Sequence, residues 1–297
     1  MKIYLIAIAM VVFGLQQSPA LAGISLQENN IQDMIDQGMS SASRGDFIAA
    51  KNILEKALQQ NPNSIDANQL LGVVRHQMGD TEAAIISLRR AIELDNYQNI
   101  AIAANYVEVL RASGKLHLAS EAGTKALSAI PPSRQKESAI LYYNLAVVET
   151  QRDKRNVAID MLSKAVELDP RLIKAWYLLA EETTKVSSSD AEKLLLKAIS
   201  HWPNDYTLNF MLGTTYQMQN KFTEALEVYY HAETLNDSAY NLKGNIAAAL
   251  QSLGRAADAL HYYEKALPFV ESDAGLFNNY GALLGIMGKH DEEVVWL

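Results

Sequence analysis

Alanine recurs at a regular spacing along most of this 297-residue chain. The interval is about 34 residues, and each of these alanines closes a segment of the same design. The recurring residues are Ala57, Ala91, Ala126, Ala165, Ala198, Ala232 and Ala266. A repeat of this length is one supersecondary unit, which buries its apolar face only against its neighbours. The spacing therefore predicts a stack of similar units.

Each segment contains two apolar runs of helical period, separated by a short polar turn. The stretches that begin at Ser64 and Ala139 show this arrangement. The second run is followed by a residue that favours turns or cannot continue a helix. These residues are Pro62, Asn96, Pro131, Pro170, Pro203 and Asp237. Each segment is therefore predicted to be a helical hairpin.

Small residues occupy the places where the two helices of a hairpin must approach closely. In the first helix they are Gly38, Gly72, Ala146, Ala180, Gly213, Ala247 and Gly281, and in the second Ala50, Ala84, Ala119, Ala158, Ala191, Ala225 and Ala259. The third unit departs from this pattern, with Val107 in its first helix. Glycines in the turns favour a positive φ. They are Gly45, Gly79, Gly114, Gly254 and Gly288.

These features resemble the tetratricopeptide repeat family. Its pattern of Leu-Gly followed by spaced alanines is matched by Leu71, Gly72, Ala84, Leu88 and Ala91. The resemblance implies an all-α fold, a right-handed α-solenoid of helix-turn-helix repeats over residues 31–297. Seven full units are predicted to begin near Ile31, Ile65, Ile100, Ala139, Ile173, Tyr206 and Tyr240, with a truncated eighth from Ala274.

The N-terminus has the pattern of a secretory signal peptide. Lys2 precedes an uncharged apolar stretch, and Ala20-Leu21-Ala22 forms a small-residue cleavage site before Gly23. The apolar stretch is too short to span a bilayer comfortably. The sequence predicts a signal peptide over residues 1–22, cleavage after Ala22, a short lead over 23–30 and a periplasmic or secreted location. An uncleaved anchor or a buried first helix is the alternative.

Charge and composition exclude several functions. The whole chain has a formal charge of −8, and removal of residues 1–22 takes away one lysine, which leaves about −9. An acidic chain is not expected to bind nucleic acid or the bulk anionic membrane surface. The chain has no cysteine, so disulfides and thiol chemistry are absent.

Known catalytic motifs are missing from the sequence, which predicts a protein that is not an enzyme and needs no cofactor or metal. The six histidines are His76, His117, His201, His231, His261 and His290. They fall at different places within successive units, so they are not expected to converge. The carboxylate pairs Glu181-Glu182 and Glu292-Glu293 are interpreted as solvated helix faces.

The resemblance places ligand binding in a groove lined by the first helices. At the groove positions of the family, the candidate peptide-binding residues are Asn105, Arg111, Tyr143, Asn144, Tyr177, Phe210, Asn245 and Asn279. The asparagines share one strip of the first helices, where amides could hold an extended peptide backbone. Leu178 and Met211 interrupt the strip, and with Tyr177 and Phe210 they would form an apolar stretch. Polar residues that merely face solvent are the alternative.

Tyrosines occur as adjacent pairs at Tyr142-Tyr143, Tyr229-Tyr230 and Tyr262-Tyr263. Adjacent helical residues lie about 100° apart, so one ring of each pair is predicted to enter the core. The other would point toward a neighbouring unit or the surface.

The predicted function is a non-enzymatic scaffold or adaptor in the bacterial envelope, which binds protein or peptide segments in its groove. Exported repeat proteins of this family support pilus assembly or exopolysaccharide export. The sequence stops at Trp296-Leu297 within a second helix, where a polar capping helix is expected. This uncapped helix is a predicted docking surface. The alternative is the N-terminal repeat arm of a larger exporter or transferase.

Overall fold

The computed structural model describes residues 25–236, 238–270 and 272–289. The predicted signal peptide and its cleavage site, Asp237, and the terminal segment from His290 to Leu297 lie outside the described residues. The α-helices are α1 Ser25–Ser43, α2 Phe47–Gln60, α3 Ile65–Gln77, α4 Thr81–Leu94, α5 Ile100–Ala112, α6 Leu116–Ala129, α7 Ala139–Gln151, α8 Arg155–Leu168, α9 Ile173–Thr184, α10 Ser188–His201, α11 Tyr206–Met218, α12 Phe222–Leu235, α13 Tyr240–Ser252, α14 Ala256–Ala266 and α15 Ala274–Ile286. The 3₁₀ helices are Pro132–Ser138 and Leu267–Phe269.

The helices pack in consecutive pairs, and each pair also packs against the next, which gives a right-handed α-solenoid. The odd-numbered helices are the first helices of units one to eight, and the even-numbered helices α2 to α14 are the second helices of units one to seven. From the second unit onward, each first helix begins at the residue that the periodicity indicates. In the first unit, α1 begins at Ser25 instead of near Ile31, so part of the predicted lead is helical.

The periodic alanines are packing residues. All seven that define the repeat, from Ala57 to Ala266, are completely buried. Each second helix also carries the alanine at its crossing with the first helix, from Ala50 to Ala259, and all of these are completely buried. Their side chains are short enough for the second helix to lie close to both its own first helix and the next unit.

Glycine occupies the turns that follow five of the first helices, with φ between 73° and 85°, a conformation that costs other residues energy. In two further turns Asp153 and Asn220 adopt it, with φ of 58° and 59°. Asx residues tolerate this region better than other residues with a Cβ. The turn of the fifth unit, between α9 and α10, contains no positive φ, and Ser187 caps α10 by accepting a hydrogen bond from the Asp190 backbone amide.

The third unit exchanges the positions of its small and large residues. In the second and sixth units a glycine of the first helix faces a large residue of the second, Leu88 or Tyr229. In the third unit Val107 is the large residue, and Gly123 stands where the other units have Leu88 or Tyr229. A Cβ on Gly123 would lie 2.5 Å from Leu145 Cδ2, so a leucine of the fourth unit fills the space.

Candidate functional site

First helices of neighbouring units lie side by side, including α1 with α3, α5 with α7 and α11 with α13. This layer is the one that forms the concave surface of an α-solenoid. We call its solvent-accessible face the concave groove. All eight residues predicted as its binding residues lie on these helices, and seven are half-buried, whereas Asn279 is exposed.

The asparagine strip contains one residue that is used within the fold. Asn144 Nδ2 donates a hydrogen bond to the backbone oxygen of Ala104, 3.2 Å away, and so joins α7 to α5. Within the described residues, the side chains of Asn105, Asn245 and Asn279 make no hydrogen bond to the protein. These three amides remain available to a ligand, whereas the Asn144 nitrogen is already engaged.

Arg111 is held by a carboxylate of its own helix. Its Nε and Nη2 atoms donate to the two oxygens of Glu108, at 2.8 and 2.6 Å. The hydrogen bonds to Glu108 raise the pKa of Arg111, and burial raises the pKa of the neighbouring Tyr143. The pair contributes no net charge to the groove, so Arg111 is not a free cation for an acidic ligand.

Tyr177 connects two units through its hydroxyl. The Oη atom donates to Asp205 Oδ2 at 2.6 Å, and Asp205 Oδ1 accepts from the Leu208 backbone amide at the start of α11. Burial and the bond to Asp205 raise the pKa of Tyr177 to about 12. The ring is half-buried, so Tyr177 offers an apolar face to the groove while its polar end is fixed.

Phe210 and its neighbours form the predicted apolar stretch. Phe210 stacks on Tyr206, with ring centroids 5.9 Å apart, and it also contacts Tyr229 at 6.1 Å. Leu178 and Met211 are half-buried against the core of units four to six. This stretch is therefore a partly accessible extension of the core.

Two glutamines of the groove bind core tyrosines. Tyr229 Oη donates to Gln217 Oε1 at 2.9 Å, and Tyr263 Oη donates to Gln251 Oε1 at 3.1 Å. In both cases the partners are 12 residues apart, one on each helix of the hairpin. Both glutamines lie at positions that the family register assigns to the groove, and a Tyr and a Gln at this separation in successive units are visible in the sequence.

Two family models described as tetratricopeptide repeat match residues 42–96 and 242–271. The first match spans the end of α1 and the helices α2 to α4, and the second spans most of α13 and α14, so both lie on helical hairpins of the same repeat series. The chain contains tetratricopeptide repeats.

Among the relatives of this repeat protein, the human PEX5-related protein is 22% identical over 78% of the chain. Human anaphase-promoting complex subunit 7 is 25% identical over 71% of the chain. The matched regions cover 33% and 37% of those two proteins, so the chain spans about a third of their length.

Solved structures of repeat proteins share the fold. A tetratricopeptide repeat protein from Parabacteroides merdae is 17% identical, with a TM-score of 0.55, and the match covers 86% of this chain and 99% of that one. Pseudomonas aeruginosa pilF is 16% identical, with a TM-score of 0.52 over 87% of this chain and 98% of that one. YrrB, described as having an unusual peptide-binding site, is 18% identical, with a TM-score of 0.52 over 64% and 95%.

The interpretation of Glu181-Glu182 as a solvated pair is wrong for one of its members in this repeat protein. Glu181 is exposed, but Glu182 is 1% exposed. Glu182 accepts hydrogen bonds from Arg155 Nε at 3.0 Å and from Lys185 Nζ at 2.6 Å. Adjacent residues face different directions on a helix, and Glu182 faces the preceding unit, whose Arg155 compensates the buried charge.

The tyrosine-pair prediction is confirmed at two sites of the repeat protein. Tyr229 and Tyr263 are completely buried, whereas Tyr230 is 37% exposed and Tyr262 is half-buried. Tyr230 and Tyr262 contact each other across units six and seven, with centroids 6.2 Å apart. Tyr142 and Tyr143 are both half-buried, so neither ring is a fully buried core residue.

Two further asparagines stabilise the connections between units. Asn68 Nδ2 donates to the backbone oxygens of Pro62 and Ser64, and Asn209 Nδ2 donates to those of Pro203 and Asp205. Both asparagines occupy the fourth position of a unit that follows a proline. An asparagine six residues after a repeat-closing proline was the available signal.

Within the described residues, no group of three or more histidines, aspartates or glutamates is placed to hold a metal ion. No helix in that part of the chain is both long and apolar enough to cross a membrane. Proteins built from such repeats serve generally as protein-interaction scaffolds.

Proposed function

We propose that this repeat protein is a non-enzymatic scaffold of the bacterial envelope, which binds peptide segments in its concave groove. The observation that carries the proposal is the set of amides with no partner in the described protein, at Asn105, Asn245 and Asn279. An amide offers a donor and an acceptor, and these match the groups of an extended peptide backbone. The half-buried rings of Tyr177 and Phe210 add apolar surface along the same layer.

The envelope location rests on the signal-peptide pattern of residues 1–22. If the pattern is read by the export machinery, the full gene product expressed in a bacterium should be recovered from the periplasmic fraction with Gly23 as its first residue. Intact mass spectrometry of that fraction measures this directly. A protein that retains Met1 and stays in the cytosol would contradict the location, but it would leave the groove proposal standing.

Pilus assembly and exopolysaccharide export are the envelope processes that we propose for the scaffold. Both depend on holding several exported proteins together, a task suited to an extended repeat surface. The similarity to pilF is one of fold alone, at 16% identity, so it supports the architecture of the scaffold and does not identify the process.

Partner capture from an envelope extract tests the groove. The immobilised chain is compared with a triple variant, Asn105→Ala, Asn245→Ala and Asn279→Ala. The variant should recover its main partner at less than about a tenth of the wild-type yield, because three hydrogen bonds at roughly 1 kcal/mol each would be lost. Asn144 and Tyr177 are left intact, since their substitution would disturb contacts between units.

The matched control carries Asn52→Ala and Asn156→Ala, which remove exposed amides from the second helices α2 and α8. It should recover the partner at the wild-type yield. Equal recovery by the groove variant and the wild type would place binding elsewhere on the molecule and refute the groove proposal.

A further inference from the structure

Charge is distributed unevenly among the first helices. The helices α5, α7 and α9 all carry glutamate, and Arg111 and Lys174 add cations to α5 and α9. By contrast, α11 and α15 contain no charged residue, and α13 contains only Lys243, which is 6% exposed. We call the concave face of α11, α13 and α15 the C-terminal half-groove.

Among the described residues of α11, α13 and α15, the C-terminal half-groove has no exposed charged side chain that a ligand could pair with in place of water. A charged ligand group placed there would lose hydration without gaining a counter-charge, which makes its binding unfavourable. The surface offers amides instead, among them Asn245 and Asn279. Within the repeat unit, the position of Thr214 lies between the position of these asparagines and that of Gln217. An uncharged ligand with many hydrogen-bonding groups fits this chemistry.

The two glutamines of this surface have a defined orientation. Tyr229 and Tyr263 are fully buried, and burial raises the pKa of both phenols, so each keeps its hydroxyl proton. Phenols donate hydrogen bonds more readily than they accept them, which assigns the bonded amide atom as oxygen. The amide nitrogens of Gln217 and Gln251 are therefore turned away from the core.

Neither amide nitrogen donates to another group within the described residues, and neither is a buried unsatisfied atom. Each remains accessible and carries two N–H donors. The two glutamines lie at the same position of adjacent units, on the neighbouring helices α11 and α13. The hairpin core thus presents a repeated, pre-oriented donor to the groove.

We propose that the C-terminal half-groove binds an extended polypeptide segment without charged side chains, whose backbone carbonyls accept hydrogen bonds from Gln217 and Gln251. Tyr229 and Tyr263 are positioning residues, because each fixes the orientation of its glutamine and does not contact the ligand. This inference rests on the proposed function and specifies the class of segment that binds. Carbonyl acceptors are common to all peptides, so the missing charges supply the selectivity.

A phage-displayed library of random dodecapeptides, selected on the full chain, tests the ligand class. We expect the recovered peptides to be depleted in Asp, Glu, Lys and Arg relative to the unselected library. Recovered peptides rich in charged residues would refute this inference while leaving peptide binding by the scaffold intact. If no peptide is recovered, both this inference and the proposed function are wrong.

Glutamine variants test the donors, using the best recovered peptide in a fluorescence anisotropy assay. The double variant Gln217→Ala and Gln251→Ala should weaken binding about 25-fold, at roughly fivefold for each hydrogen bond. Gln217→Glu with Gln251→Glu keeps an acceptor for each tyrosine but turns a carboxylate oxygen toward the groove. A library selected on this variant should become enriched in Lys and Arg. Unchanged affinity and unchanged selection would overturn the assignment.

The positioning role is tested with Tyr229→Phe and Tyr263→Phe together. The rings stay in the core, but the glutamine amides are no longer oriented, so binding should weaken about threefold to tenfold. The double variant should also discriminate less between peptides selected on the wild type and peptides selected on the Gln217→Glu with Gln251→Glu variant. A purely structural role of the tyrosines does not predict this change. Tyr230→Phe is the matched control, since Tyr230 is 37% exposed and lies on the second helix. Binding by the double variant that equals the control refutes the positioning role.

Discussion

Substitution of Gly213 by valine is expected to lower the free energy of unfolding by about 3 kcal/mol, the upper part of the range for overpacked cores. A Cβ at this position would lie 2.3 Å from Tyr229 Cε1 and 2.4 Å from Cδ1. The ring has no room to withdraw, because it is completely buried and its hydroxyl is bound to Gln217. Urea denaturation followed by circular dichroism measures the loss.

A double variant separates this clash from a general effect of valine in the helix. The third unit already combines Val107 with Gly123, so Gly213→Val with Tyr229→Gly reproduces that arrangement in the sixth unit. The double variant should lose less unfolding free energy than the two single variants lose together, and the difference should be at least about 1 kcal/mol. Thr214→Val, at the half-buried neighbouring position, should cost less than about 1 kcal/mol. Strict additivity of the two core changes would contradict the proposed contact.

The repeat pattern predicted the fold well because every unit imposes the same local requirement. The glycine turns, the small residues at helix crossings and the starts of the first helices from Ile65 onward all depend on positions within one unit. Each local signal is weak alone, but its recurrence at the same position of every unit strengthens the prediction. In the third unit, Val107 is visible in the sequence only as a departure from the pattern of small residues. The space left at Gly123 is filled by Leu145, which belongs to the next unit.

The side-chain partners in the candidate site could not be predicted in the same way. Asn144 bonds to a backbone oxygen 40 residues earlier, and Tyr177 bonds to a carboxylate 28 residues later. Such contacts depend on the angle between neighbouring units and on which rotamer each side chain adopts, and neither is encoded by periodicity. The repeat register therefore predicts which helices form the groove layer, whereas contacts between units decide which of its polar groups are already hydrogen-bonded.

The buried carboxylate of Glu182 should make the junction of units four and five sensitive to loss of its cations. The Glu182 side chain is 2% exposed, whereas those of Arg155 and Lys185 are 41% and 42% exposed. Arg155→Met with Lys185→Met keeps most of the apolar stems but leaves a buried carboxylate without a partner. We expect this double variant to lose about 3 kcal/mol of unfolding free energy, at the lower end of the range for broken buried pairs.

Removal of the carboxylate should be much less harmful than removal of the cations. In Glu182→Gln both cations can turn to water, because they are already partly exposed, and the amide can still accept a hydrogen bond. The expected loss is about 1 kcal/mol, one ordinary hydrogen bond. Lys193→Met is the control, since its pair with Asp190 is exposed on both sides, and it should change stability by less than about 0.5 kcal/mol. Equal losses for Glu182→Gln and the double variant, measured by urea denaturation, would show that the buried charge itself does not control this junction. The asymmetry follows because a charge is costly only on the side of the pair that water cannot reach.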